Sequence, residues 1–280
     1  MGFFFALLAA FNESLAKTID KLNFTKNHIT YRQSLLITFI GMTICLGAFI
    51  VLSHQHLPHI SFKSVGLMAL IGLFSFGGNV FDEMSLKADD LSLREPMVDF
   101  EPIVAGLVGY ALFPAERKPV FLLAFAASAV IVYWGTHRRR LGKRQKKGMG
   151  YLFLAAILYA FLPSIYKVTL PYISPGYIAF LRCAIILVLL AIFLPVRRIS
   201  KLSAAKVTYA STSAVIYAVE AVVSLYAIEK LGVVLTMLIL MLGPALRYWS
   251  SAFILKEKVR KSEMLASFLL VAVVLAASFA

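Results

Sequence analysis

The side chains best able to do chemistry in this sequence are ionisable groups set inside apolar runs. Glu220 stands in "YAVEAVVSLY", Arg182 in "YIAFLRCAII", Arg247 in "LGPALRYWSS" and Glu13 in "AAFNESLAK". A charge at bilayer depth is expensive, so such residues face protein or water and mark pathways for substrates, ions or protons. A carboxylate there can exchange a proton or hold a cation, and a guanidinium can hold a carboxylate or phosphate through its planar donors. The two types can also simply pair with each other. The stretch "MVDFEPIVAG" adds Asp99 and Glu101 beside Pro102, a residue that interrupts the helical hydrogen-bond ladder. Two positions apart, these acids cannot share one helical face.

Spacings of three, four and seven gather further polar groups into stripes. Ser75, Asn79 and Asp82 share one face, as do Ser213, Tyr217, Glu220 and Ser224, then Thr236, Gly243, Arg247 and Ser250, then Glu13, Lys17 and Asp20. Tyr159, Tyr166, Tyr217, Tyr226 and Trp249 are candidates for an amphipathic lining. The candidate substrate or proton site is therefore Glu220, Arg182, Arg247, Glu13, Asp99, Glu101, Asn79, Asp82, Tyr217 and Tyr159. Glu220 leads because it lies near the middle of its run, inside a stripe. Its expected charge partner is Arg182 or Arg247, and that of Glu13 is Lys17, one turn on.

No Ser/His, HExxH, DxD or Cys/His pattern stands at catalytic spacing, so the sequence reads as a non-enzyme without cofactor. The loop "SHQHLPH" carries His54, His56 and His59, read as solvated side chains with no metal assigned. Cys45 and Cys183 show no pairing pattern and read as packing residues.

The elements that must carry these residues are membrane helices. Of 280 residues 60% are hydrophobic and 15% charged, with a mean hydropathy of +0.84, values outside the range of ordinary soluble domains. The net charge of +14 sits at the ends of apolar runs, where lipid headgroups and topology account for it, so nucleic acid is not the expected partner. "MGFFFALLAA" lacks a basic leader region and reads as a retained first helix, and Ala6 defeats a myristoylation motif. Continuous runs, rather than alternation at period two, exclude a β-barrel.

The runs are Gly2–Leu22, Thr30–Leu52, Val65–Leu86, Leu93–Phe113, Val120–Thr136, Met149–Thr169, Pro175–Pro195, Val207–Ile228, Val233–Leu255 and Ser262–Phe279. The fifth and tenth have almost no polar side chains and read as scaffold. The basic segment "THRRRLGKRQKKG" divides the chain into residues 1–136 and 149–280, joined by 137–148. The halves echo each other: Lys21 matches Lys167, Arg32 matches Arg182, and Pro102 with Glu116-Arg117 matches Pro244 with Glu257-Lys258. Five helices per half make the second copy enter from the opposite side. The fold expected is an all-α membrane protein with ten transmembrane helices in two inverted five-helix repeats. Eighteen Lys and Arg flank the odd spans' ends against five at the even ones, which puts both termini outside by the positive-inside rule.

The ten runs in two halves, "ADDLSLREPMVDFEPIVAGLVGYALFPAER", its counterpart "LGVVLTMLILMLGPALRYWSSAFILKEK", and Arg182 in "YIAFLRCAII" resemble the EamA-type family of the drug/metabolite transporter superfamily. The resemblance spans the whole chain. It implies a plasma-membrane secondary transporter that moves a small metabolite or drug-like solute by alternating access, with proton coupling or exchange. It implies lipid, a small solute and protons as partners and names no substrate. Two departures stand out: the charged "FNESLAKTIDK" in the first helix, and a charge bias opposite to the family's cytoplasmic termini. The rival reading is a membrane scaffold, embedded enzyme or passive channel.

Overall fold

The computed structural model describes residues 1–55, 61–88, 100–136, 143–194, 203–256 and 261–278. These form the helices α1 (Gly2–Lys26), α2 (Tyr31–Leu52), α3 (Phe62–Ala88), α4 (Phe100–Leu112), α5 (Pro119–Thr136), α6 (Lys143–Ala160), α7 (Leu162–Thr169), α8 (Pro175–Phe193), α9 (Ala204–Leu231), α10 (Val233–Leu240), α11 (Leu242–Phe253) and α12 (Lys261–Ser278). Among the described residues there is no strand. Asp99, Glu257, His56 and His59 lie outside the described residues.

Five helical stretches are long and apolar enough to cross a membrane: Tyr31–Leu52, Phe62–Lys87, Gln145–Thr169, Pro175–Phe193 and Ala204–Leu231. Phe100–Leu112, Pro119–Trp134 and Met264–Ser278 are shorter apolar helices. Two sequence runs that read as single spans are each broken in two. Pro163 and Pro244 lack the N–H that would bond to Tyr159 and Leu240, four residues back. The helix gives way at those places, between α6 and α7 and between α10 and α11. The start of α2 is closed by a capping box. The Thr30 hydroxyl accepts the Gln33 N–H at 3.3 Å and the Gln33 side chain accepts the Thr30 N–H at 3.2 Å.

Small residues set the closest packing. α1 buries Ala6, Ala9, Ala10 and Ala16, and its neighbour α9 buries Ala210, Ala214, Ala218 and Ala221. Ala214 of the second set lies against Gly41 of α2, where a side chain in place of the glycine would meet its Cβ. One core joins α2, α8 and α9 through Phe39, Met42, Ile178, Ile186 and Leu225. A second joins α5, α10 and α12 through Phe125, Leu238, Leu270 and Val274. Outward-facing Ile44, Leu123, Val130, Val188 and Ile192 remain exposed, an apolar exterior suited to lipid rather than water.

The packing pairs have counterparts. α1 lies on α9 as α3 lies on α6, α2 on α9 as α3 on α8, and α1 on α10 and α11 as α4 on α6 and α7. Three further pairs, α2 with α8, α4 with α10 and α5 with α12, map onto themselves when residues 1–136 and 149–280 are exchanged.

Candidate functional site

Ionisable residues from six of these helices meet around one cavity of about 180 Å³. Its carboxylates are Glu13 on α1, Asp82 and Glu83 on α3, Glu101 on α4 and Glu220 on α9; its cations are Lys17 on α1, Arg182 on α8 and Arg247 on α11. Phe39, Met42, Tyr159, Tyr166, Tyr217 and Met237 supply apolar and aromatic wall. Among the described residues, neither α5 nor α12 contributes a lining residue.

The charges are held across helices. The Arg247 guanidinium, only 2% exposed, lies 3.2 Å from the Glu13 carboxylate, and Lys17 pairs with Asp82. This differs from the local Glu13–Lys17 pair expected from spacing: on the helix each side chain finds a more enclosed partner on a neighbouring element. Arg182 donates from Nη1 to the Tyr166 hydroxyl at 3.0 Å. Glu220 makes no ion pair among the described residues. Its charged neighbours are Glu13, Arg182 and Lys17, with the Ser224 hydroxyl in hydrogen-bond reach. The expected contact with Arg247 is absent because Glu13 occupies that guanidinium.

One helical turn beyond Lys17, Asp20 is 1% exposed and accepts a 2.9 Å hydrogen bond from the Tyr217 hydroxyl. Asn79 donates to the Ser75 carbonyl at 2.7 Å while lining the cavity. Of the aromatic candidates, Tyr159, Tyr166 and Tyr217 face the cavity. Tyr226 instead packs on Phe5, and Trp249 on Phe253 and Phe268. Glu83 and Thr38 escaped the sequence reading. Glu83 sits beside Asp82, off the stripe, and Thr38 is a lone hydroxyl in an apolar run whose facing only tertiary packing decides.

Close in sequence to the lining residues Tyr166, Ile228 and Met237 lies a further set of contacts. Glu116, after α4, accepts the Val234 N–H at the start of α10 at 2.8 Å and pairs with Lys167 of α7. Lys167 also lies over the Phe113 ring, 4.6 Å from its centroid. Gly232 permits this with φ 84° and ψ 176°, a backbone region open to glycine alone, and a Cβ there would occupy the carboxylate's place. Glu116 and Lys167 were legible as repeat markers but not as partners.

Residues 146–279 match the family model described as the EamA-like transporter family. No curated protein matches the chain. A crystal structure described only as that of a protein superposes with a TM-score of 0.72 over 98% of this chain and 96% of its own, at 13% identity, a likeness of fold alone. Over its second half, then, the chain is similar to the EamA-like transporter family.

Proposed function

We propose that the chain is a secondary active transporter that moves a small solute across the plasma membrane by alternating access, from ten spans in two inverted five-helix halves. The observation that carries this reading is the convergence of ionisable side chains from both halves on one cavity inside an apolar bundle. The packing pairs that survive exchange of the halves support two interchangeable units, which rocking about a central site requires. The helix breaks at Phe161 and Met241 support it further, since both broken helices line the cavity.

In this mechanism Glu220 takes up and releases a proton between the two access states, with Glu13 or Asp99 as the next candidates. While ionised, Glu220 attracts Arg182 across the α8–α9 packing; protonation removes that attraction and frees one half to move against the other. Arg247 takes no part in this step because Glu13 holds it. The Glu116 junction, which ties the end of α4 to α7 and α10, is a contact between halves that must open when the cavity faces that side.

The test is solute counterflow in proteoliposomes across a pH series. Wild-type protein is expected to show saturable counterflow that changes with pH, and Glu220→Gln a profile that no longer does. An unchanged pH profile in Glu220→Gln, at equal reconstitution, removes Glu220 from the mechanism. Flux without saturation or counterflow identifies a passive channel instead.

A further inference from the structure

The charge balance of the cavity runs against that of the chain. The whole sequence carries +14, yet among the described residues five carboxylates and three cations line the cavity, a formal balance of minus two. Two of the cations are engaged: Arg247 by Glu13 and Lys17 by Asp82. Glu101 and Glu220 make no ion pair among the described residues, and Arg182 spends one nitrogen on Tyr166. Glu13 is a close charged neighbour of both Glu101 and Glu220, so carboxylates from α1, α4 and α9 converge.

A second, separate feature points to a ligand. The Thr38 hydroxyl lines the same cavity at 6% exposure and has no hydrogen-bond partner. A buried polar group in that state is costly until something satisfies it. Around it, Phe39, Met42 and Met237 offer apolar wall, and about 180 Å³ is on the scale of an engineered cavity that holds a benzene molecule, about 150 Å³.

We propose that this cavity selects small organic cations, an ammonium group on an apolar body of about one ring, over zwitterions and anions of the same shape. The proposal builds on the transport reading for its biological sense and on the charge balance for its chemistry. An anion entering a partly desolvated site adds to the negative surplus, a zwitterion leaves it unchanged, and a cation lowers it. The ammonium sits among Glu13, Glu101 and Glu220, with the ring toward Phe39 and Met42.

The experiment uses the purified full chain and three probes with one phenyl body: phenethylamine, phenylalanine and phenylpropionate, which at neutral pH are a cation, a zwitterion and an anion. Thermal unfolding is titrated with each. Phenethylamine is expected to raise the Tm saturably, with an apparent affinity at least tenfold tighter than phenylalanine. The gain should weaken about tenfold in Glu101→Gln and in Glu220→Gln, both checked for cooperative melting. Equal or better stabilisation by phenylalanine or phenylpropionate overturns the proposal, as does no shift with any probe or unchanged binding in both variants. Counterflow in proteoliposomes separates the two readings. Saturable amine binding without counterflow sinks transport and leaves the cation site; counterflow of phenylalanine alone does the reverse.

Discussion

At the scale of single residues, the Glu13–Arg247 pair is the strongest commitment in the site. Arg247 is 2% exposed and Glu13 30%, so removing the guanidinium leaves a carboxylate that the cavity only partly hydrates. Arg247→Met is expected to lower stability, by no more than about 3–5 kcal/mol because of that partial hydration. Adding Glu13→Gln should recover a large part of the loss, since it removes the orphaned charge. Thermal unfolding of the two single variants and the double variant checks this; a double variant as unstable as the sum of the singles refutes the pair. The residue types were readable from sequence because an acid or arginine inside an apolar run is conspicuous. The pairing was not, because 234 positions separate Glu13 from Arg247 while Lys17 stands one turn away, and only the packing of α1 on α11 decides between them.

At the scale of elements, the junction of α4, α7 and α10 shows how a helix start is satisfied without a local cap. α10 follows α9 through Gly232 alone, so the N–H of Val234 takes its acceptor from Glu116, 118 positions earlier in sequence. A carboxylate at a helix start also meets the positive end of the helix dipole. Stability should therefore fall in the order wild type, Glu116→Gln, Glu116→Ala. The amide keeps an acceptor for Val234 but loses the charge facing Lys167; alanine loses both, and the cap alone is worth about 0.5–2 kcal/mol. Gly232→Ala should cost about 1–3 kcal/mol from its backbone alone, whereas Gly66→Ala in α3, where a Cβ meets open space, should gain about 0.5–1 kcal/mol. Equal melting temperatures for the two glycine variants would contradict this account. The helices themselves were legible as uninterrupted apolar runs. Their breaks were not, since both runs read as single spans; proline denies a bond to the residue four before it, so the helix yields at Phe161 and Met241, ahead of Pro163 and Pro244.

At the scale of the whole molecule, flanking charge predicts an orientation. Lys and Arg at the ends of odd spans outnumber those at even ends by eighteen to five, and lysines and arginines are retained on the cytoplasmic side. The charge bias is large and distributed over several loops. On that expectation Lys26, exposed at the end of α1, lies on the cytoplasmic side and Lys63, exposed at the start of α3, outside. Cys45 and Cys183 are free thiols, so a Cys45→Ala, Cys183→Ala background gives a blank chain for labelling. In intact cells a membrane-impermeant maleimide is expected to label Lys63→Cys at once and Lys26→Cys only after permeabilisation. The opposite pattern would mean that the first helix, with Glu13, Lys17, Asp20 and Lys21 along its inner half, enters from the cytoplasm against the charge bias. The cavity's chemistry would then stand unchanged while the direction in which each mouth opens would be reversed.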